Sequence, residues 1–423
     1  MDNKINKLAL AIAAASTVLS GQALAGGFQL NEQSVSAQGS AFAGRTSNVT
    51  DASIVFGNPA GMSFLERAQV TGGATYLDVD SDIDDASGTT ALGTPISPAS
   101  NEGDMVPGKT IPFGYFVQPI NDHLHFGLGV YAPFGVITDY EDDFEGRYFG
   151  NYSDVEVVTV QPTLSIKFSD QFSAGFGITY NHIEGELERA TYGGPFGDGH
   201  VKVKGDDDAY GFTFGMMYKP LETTTLGVTY RSDVDYGLEG HLDTDNIYAG
   251  GAGPLPDASY DASLDITLPE TIDFSVTHEV NDRWTVMAGA ALVKWSSFDE
   301  LVIENDSPLG TRVETQDYED AWQYAVGTAY QLTPSWVVRA GVAYDESPIR
   351  DSVRTVRVPS SDRMIYSLGA GWTPTPDLTI DVAYTYLKED TAPVDETAAT
   401  SGSYRADYEN SAQGFGAQLT YRF

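Results

Sequence analysis

Apolar and polar residues alternate with a period of two along most of this chain. Leu378, Ile380, Val382, Tyr384 and Tyr386 share one face of a segment, and Thr379, Asp381, Ala383 and Thr385 share the other. Trp336, Val338, Ala340, Val342 and Tyr344 form another apolar face, with Arg339 and Asp345 opposite. A period of two belongs to strands, whose successive side chains point to opposite sides. The pattern predicts fourteen strands, near 66–79, 109–120, 123–132, 153–168, 171–188, 206–219, 223–240, 261–279, 283–303, 313–331, 335–346, 361–374, 377–389 and 404–423.

The connections between these strands sort by length. Six are tight: Ile120-Asn121-Asp122, Ser169-Asp170, Pro220-Leu221-Glu222, Asn281-Asp282, Leu332-Thr333-Pro334 and Pro374-Thr375-Pro376. The other seven are mostly long, and acidic or rich in Gly and Pro. A soluble sandwich also alternates, because one face packs inward, but it has no reason to place short turns at one rim and long loops at the other. That sorting, with an even strand number, is the pattern of outer-membrane barrels. The last strand agrees: Phe415, Ala417, Leu419, Tyr421 and the terminal Phe423 alternate with Gly416, Gln418, Thr420 and Arg422. A terminal aromatic on an alternating strand resembles the sorting signal of such barrels. Closure into a ring also removes strand edges that lipid would not tolerate.

The N-terminal part follows other rules. Lys4 and Lys7 precede an apolar run of twelve residues, Leu8 to Leu19, and Ala23-Leu24-Ala25 offers small residues at a cleavage position. Residues 1–25 therefore read as a secretory signal peptide; a retained helical anchor would need about 20 apolar residues. Residues 26–66 alternate poorly and are rich in small residues such as Ser34, Ser36, Ala37, Gly39, Ser40, Ala41, Ala43 and Gly44. Irregular backbone at membrane depth must be buried in protein, so this segment is expected to fold as a hatch inside the lumen of a barrel formed by 67–423. The fold class is thus all-β, a 14-stranded antiparallel transmembrane barrel plugged by an N-terminal hatch.

Composition narrows the chemistry. Cysteine is absent, which removes disulfides, thiolate metal sites and cysteine nucleophiles. The 44 Gly, 24 Tyr and 20 Phe favour strands and tight turns. A net charge of −37 argues against nucleic acid as a partner. The acidic residues cluster in expected loops, at Asp78 to Asp85, Tyr140 to Glu145 and Asp206 to Asp208. Asp78, Asp80, Asp82 and Asp84 suggest calcium, but Ile83 and Thr89 stand where an EF-hand loop needs Gly and Glu. No metal or other cofactor is expected. The six histidines (His123, His125, His182, His200, His241 and His278) are scattered and accompany no nucleophile motif, which argues against a lipase or protease.

The expected lumen is less polar than that of a porin. Met287, Gly289, Ala291 and Val293 oppose the face of Trp284, Val286, Ala288, Ala290 and Leu292. Likewise Thr213, Gly215 and Met217 oppose Phe212, Phe214, Met216 and Tyr218. An apolar interior suits greasy ligands better than ions or sugars, although each residue taken singly could equally pack against the hatch.

Several motifs then converge. Gly27-Phe28-Gln29-Leu30-Asn31-Glu32 and Asn58-Pro59-Ala60-Gly61-Met62 resemble the hatch of the long-chain fatty acid transporter family of the outer membrane. Tyr131-Ala132-Pro133-Phe134-Gly135 and Gly146-Arg147-Tyr148 resemble its third strand and following loop. Leu226 to Ser232, Leu268-Pro269-Glu270, Asp345 to Pro348 and Pro359 to Arg363 follow in the family's order, so the resemblance spans the mature chain.

The resemblance implies a plugged barrel of fourteen strands in the outer membrane of a Gram-negative bacterium. It implies passive uptake of hydrophobic small molecules by a monomer, with sideways release into outer-membrane lipid through a kinked third strand. The kink is expected around Phe126 to Pro133, where Gly127, Gly129 and Pro133 weaken pairing, with Asn58, Pro59 and Ala60 of the hatch beside it. A fatty acid also needs a counter-charge, since burying a lone carboxylate is costly. Family members carry a basic residue before an Asp-Ala-aromatic sequence, and here Glu319 precedes Asp320-Ala321-Trp322. His182, Arg339 and Arg363 remain as candidate head-group contacts. Long-chain fatty acids are the leading cargo, and monoaromatic or aliphatic hydrocarbons, which need no counter-charge, are the alternative. Replacing Asn58 or Pro59 is expected to lower uptake without stopping assembly. Normal uptake by a folded Pro59→Ala variant would overturn that expectation.

Overall fold

The computed structural model describes residues 27–248 and 256–423, so the expected signal peptide lies outside the described residues. Among these, nineteen strand segments form one antiparallel sheet. β1 (Gln69–Thr89) pairs with β19 (Gly402–Arg422) from Gln69↔Arg422 to Thr89↔Ser403, which closes the sheet into a barrel. Five segments merely continue a neighbour across a short break: β8 (Val234–Asp245) continues β7 (Thr224–Arg231), and β10 (Thr271–Asn281) continues β9 (Ala258–Leu268). The same holds for β11 (Trp284–Val293) with β12 (Glu300–Asn305), β13 (Arg312–Thr315) with β14 (Ala321–Thr333), and β17 (Leu378–Glu389) with β18 (Ala392–Ala398). Fourteen strands therefore cross the wall, as the alternation predicts. The remaining ones are β2 (Lys109–Pro119), β3 (Leu124–Asp139), β4 (Tyr152–Lys167), β5 (Phe172–Thr191), β6 (Gly199–Leu221), β15 (Trp336–Asp345) and β16 (Arg363–Thr375).

All six tight turns fall at one rim, between β2 and β3, β4 and β5, β6 and β7, β10 and β11, β14 and β15, and β16 and β17. That rim is the periplasmic one. The outward face carries the apolar members of each alternation. Phe212, Phe214, Met216 and Tyr218 are exposed while Thr213 and Met217 are buried. Aromatic residues ring both ends of this band: Trp284, Trp336 and Trp372 near the turns, with Trp336 stacked on Trp372 at 5.7 Å, and Tyr76, Tyr324, Tyr344 and Tyr386 at the other end.

The strands run well past this band, and here two acidic runs prove to be strand rather than loop. Asp78 to Asp85 belong to β1, paired as Asp78↔Gln413 and Asp82↔Glu409, and Asp206 to Asp208 belong to β6. Above the hydrocarbon the outward face of a strand meets water, so charge and pairing coexist there. Asp78, Asp80, Asp82 and Asp84 all point outward, and no cluster fit to hold a metal ion occurs among the described residues. Only Tyr140 to Glu145 is a loop, pinned where Glu145 accepts from Gly88 N at 2.7 Å and Asn101 Nδ2 at 2.8 Å.

Residues 27–66 lie inside the ring and touch it nearly all round. Val35 N donates to Gln418 of β19, Gln38 Nε2 to Thr385 of β17, Thr46 N to Ser275 of β10, and Gln161 of β4 donates to Val55 O. The segment holds only short helices, α1 (Val35–Gln38), α2 (Ile54–Gly57) and a 3-10 turn at Pro59–Phe64. Its approach to the wall depends on glycine. A Cβ at Gly227 would stand 1.9 Å from Thr46 O, one at Gly341 2.2 Å from Ser40 O, and one at Gly175 2.4 Å from the carbonyl carbon of Pro59. Wall glycines thus let inner backbone sit against outer backbone, which places much of the chain's glycine inside strands rather than in turns. Gly227→Val should leave the wall assembled, since Val favours strands, but displace the inner segment. Single-channel recordings in a planar bilayer should then show a rise in conductance over the wild type; unchanged conductance would count against this packing.

Candidate functional site

The ladder between β2 and β3 is incomplete. It runs from Pro119↔His125 to Gly114↔Val130 and stops, so Lys109 to Phe113 pair only with β1. β3 itself continues along β4 through a bulge: Tyr131 faces Thr159, then Phe134 faces Val157. The extra residue lies at Ala132-Pro133, where Pro133 has no N–H to give. It also flips the alternation, so Tyr131 before the bulge and Val136 after it are both on the inner side.

Residues 28–33 take up the backbone groups that β2 leaves free. Leu30 N donates to Pro133 O at 2.9 Å, Gly135 N donates to Phe28 O at 2.9 Å, and Gln33 Nε2 donates to Ala132 O. Gln29 and Phe134 form an antiparallel bridge between these bonds. Gly27, with φ of +68°, leads into this segment. A Cβ there would meet the Trp295 ring at 2.4 Å, so both backbone and space require glycine.

Above this contact lies an apolar cavity, part of it open to the outside. Its walls are Val155, Ile183, Leu187, Leu238 and Leu264 from β4, β5, β8 and β9, and its inner end is aromatic. There Phe28 meets Trp295 at 4.8 Å and Phe298 at 5.5 Å, with Tyr318 against Phe298 at 5.0 Å. Phe28 therefore both lines the cavity and holds the kinked strand.

The structure distributes the sequence-predicted residues unevenly. Pro133 is at the break. Gly127 and Gly129 lie six and four residues before Pro133, in regular pairing, and their role is packing. A Cβ on Gly127 would meet Met62 Sδ at 2.3 Å, and one on Gly129 the Tyr115 ring at 3.1 Å. Phe126 lies on the opposite, lipid-facing side of the same strand. Asn58, Pro59 and Ala60 do not adjoin the kink. Asn58 Nδ2 donates to Thr46 O at 2.8 Å and Met216 O at 2.9 Å, Pro59 rests on Gly175, and Ala60 O accepts from Ser165 and Ser173. They dock the inner segment on β4, β5 and β6, because a buried amide and a run of small residues satisfy bare strand carbonyls and hydroxyls.

None of the three head-group candidates lines the cavity. His182 points outward and pairs with Asp208 at 2.8 Å. Arg339 is buried against Asp381 at 2.7 Å, and Arg363 against Asp345 at 2.7 Å, so both cations are already neutralised within the wall. Glu319 is exposed, 3.6 Å from Arg350, and its neighbours Tyr318 and Gln316 face the cavity instead. Sequence reasoning missed Arg357, which lines the cavity from the loop between β15 and β16. A signal was present: in a chain of 60 acidic and 23 basic residues, Arg350, Arg354 and Arg357 stand close together.

The sequence model of the family described as outer membrane protein transport protein (OMPP1/FadL/TodX) matches residues 16–423. The chain belongs to this family. A long-chain fatty acid transport protein of Escherichia coli O6:H1 is 28% identical over 450 residues, covering 99% of this chain and 98% of that one. The crystal structure of a Pseudomonas aeruginosa FadL homologue superposes with a TM-score of 0.85 at 27% identity, covering 94% of this chain and all of that one. The Pseudomonas putida toluene transporter TodX shares the fold, with a TM-score of 0.67 at 17% identity over 93% and 98% of the two chains. The protein is therefore an outer-membrane β-barrel of a family of transport proteins.

Proposed function

We propose that this family member takes up hydrophobic compounds, long-chain fatty acids foremost, into the apolar cavity and releases them sideways between β2 and β3. One observation carries the reading: Phe28 forms the inner end of the cavity and its carbonyl holds Gly135 of the kinked strand. A ligand that reaches the inner end presses on the residue that keeps the seam closed. Withdrawal of residues 28–33 would free β3 from its substitute neighbour and leave an apolar slot bounded by Ile111 and Phe113. The seam opens toward hydrocarbon, which a greasy solute prefers to an aqueous exit.

The energies are compatible. Three hydrogen bonds to β3 at about 0.5–1.5 kcal/mol net each hold the segment, beside those from Tyr115 to Gln33 O and Arg45 to Asn31 and aromatic contacts worth roughly 0.5–1.5 kcal/mol per pair. A closed state favoured by a few kcal/mol is within reach of a ligand that buries apolar surface at about 25 cal/mol per Å². Hydrocarbon uptake is the second reading, supported by the apolar walls and by the relative named as a toluene transporter. The closed wall supports action as a single copy.

The absence of cysteine allows a direct test. Gln29 and Phe134 form a non-hydrogen-bonded antiparallel pair, the geometry that brings Cβ atoms close enough for a disulfide. A Gln29→Cys/Phe134→Cys variant, assembled in cells lacking their own transporter, should take up radiolabelled oleate when reduced and lose most of that uptake when oxidised. Equal uptake in both states, with the disulfide proven by mass spectrometry, would sink the proposal. Toluene measured in parallel separates the two cargo readings.

A further inference from the structure

The outer end of the cavity is closed by a loop. Residues 346–362 leave β15, turn inward and rejoin the wall at β16, and Thr355, Arg357 and Val358 line the cavity. Arg354 braces the loop from within, donating to Ile349 O, Ser360 O and Pro393 O. Tyr140 Oη donates to Val356 O at 2.6 Å, and Val356 N donates to the Glu396 carboxylate at 2.9 Å. Arg357 then reaches across the mouth. Its Nη1 donates to Tyr152 O at 2.8 Å and Ser153 Oγ at 2.9 Å, and its Nη2 to Glu188 O at 3.2 Å. Gly150 makes room for this pose, since a Cβ there would stand 2.9 Å from the guanidinium carbon.

Arg357 is only 8% exposed, and its Nε has no hydrogen-bond partner; Glu314 Oε2 stands 3.8 Å away. The charges that face it are Arg312, Arg189, Glu314 and Glu396. Arg312 already engages Glu314 at 2.6 Å. Burial pushes the Glu396 carboxyl up to about 7, so that at neutral pH it is partly protonated. Three guanidinium groups thus stand against two carboxyl groups, beside a cavity whose lining is largely apolar. An incompletely compensated buried cation is costly, and the guanidinium fork fits a carboxylate better than any other partner.

We propose that Arg357 is the specificity-determining anchor of the cavity, and that it selects long-chain carboxylates, with the acid at the loop and the tail toward Phe28. The proposal rests on the uptake reading above and names the substrate class of the same cavity. Because the anchor belongs to the loop, a bound carboxylate adds a link between loop and wall. Recognition of the acid then reinforces a closure that Arg357 already makes with the wall.

Equilibrium binding of radiolabelled oleate, methyl oleate and oleyl alcohol to the purified full-length barrel in amphipol tests this. Wild type should bind oleate about tenfold or more tightly than either neutral analogue. Arg357→Gln should remove that preference by weakening oleate alone, and Arg357→Lys should restore part of it. The proposal is overturned if wild type binds all three equally, a comparison that needs no variant. It is equally overturned if folded Arg357→Gln keeps the preference or loses all three ligands alike. Binding of none of the three, nor of hexadecane, by wild type would instead refute the underlying uptake reading.

Discussion

Backbone amides and carbonyls at membrane depth need partners, because hydrocarbon offers none. The ring answers this by closing β1 on β19 and by ladders between neighbouring strands. The β2–β3 ladder stops at Gly114↔Val130. Its unpaired stretch, Lys109 to Phe113, lies opposite Gly73 to Leu77 of β1, and Tyr76 belongs to the outer aromatic ring. The break is therefore within the membrane and not above it. Pro112 and Pro133, one on each side, each remove a donor that would otherwise need a partner. On the β3 side, Ala132 O, Pro133 O and Gly135 N bond residues 28–33. The inner segment thus completes the wall here, and on the proposed reading its first residues act as a removable piece of the sheet.

That requirement explains how the rest of the inner segment is held. Most of its ties are neutral hydrogen bonds to luminal hydroxyls and amides, such as Thr46 to Ser275 and Thr385 to Gln38. Arg45 adds one buried charge, 3.3 Å from Asp273 and bonded to Asn31 and Gln323. Backbone packed on glycine over α1 and the following turns leaves little freedom below residue 34. The segment before it is held by the seam, the aromatic cluster, and bonds from Arg45 to Asn31 and from Tyr115 to Gln33 O. Asn58-Pro59-Ala60 fix the body on β4 to β6, and on the proposed reading Phe28 to Gln33 form the part that moves.

The strands, their number and the sorting of turns were legible in the sequence because alternation is a local property. Thr213 and Phe214 fall on opposite faces of the wall whatever surrounds them. The extent of the strands was less legible. Asp78, Asp80 and Asp82 read as loop because charge seems incompatible with a membrane strand, yet β1 simply outruns the membrane. The seam was half legible. Pro133 marks a strand defect, but Gly127 and Gly129 imitate one, being glycine for the sake of Met62 and the Tyr115 ring. The position of Asn58 was not legible at all, since only the folded path of the inner segment decides which strand it meets. The same holds for the charges: Arg339 and Arg363 are inward-facing cations, as alternation predicts, but their partners Asp381 and Asp345 lie on neighbouring strands and neutralise them.

An acidic residue at position 319 suggests a cargo without charge, but the geometry argues otherwise. Glu319 faces water, and so any residue there would be remote from the cavity. The wall positions that face the cavity are mostly apolar, such as Val155, Ile183, Leu187, Leu238 and Leu264, which favours the tail over the head group. Discrimination then falls to what covers the outer end, and the cover contributes a buried guanidinium with an unused donor. A wall that accepts any long apolar chain, joined to a loop that favours one charge, separates the two tasks a lipid transporter must perform. On the proposed reading, affinity for the tail comes from buried area, and selectivity comes from Arg357, whose desolvation an acid repays. Such a division lets loops change cargo while the seam and its inner segment, on which the membrane integrity of the barrel depends, stay as they are.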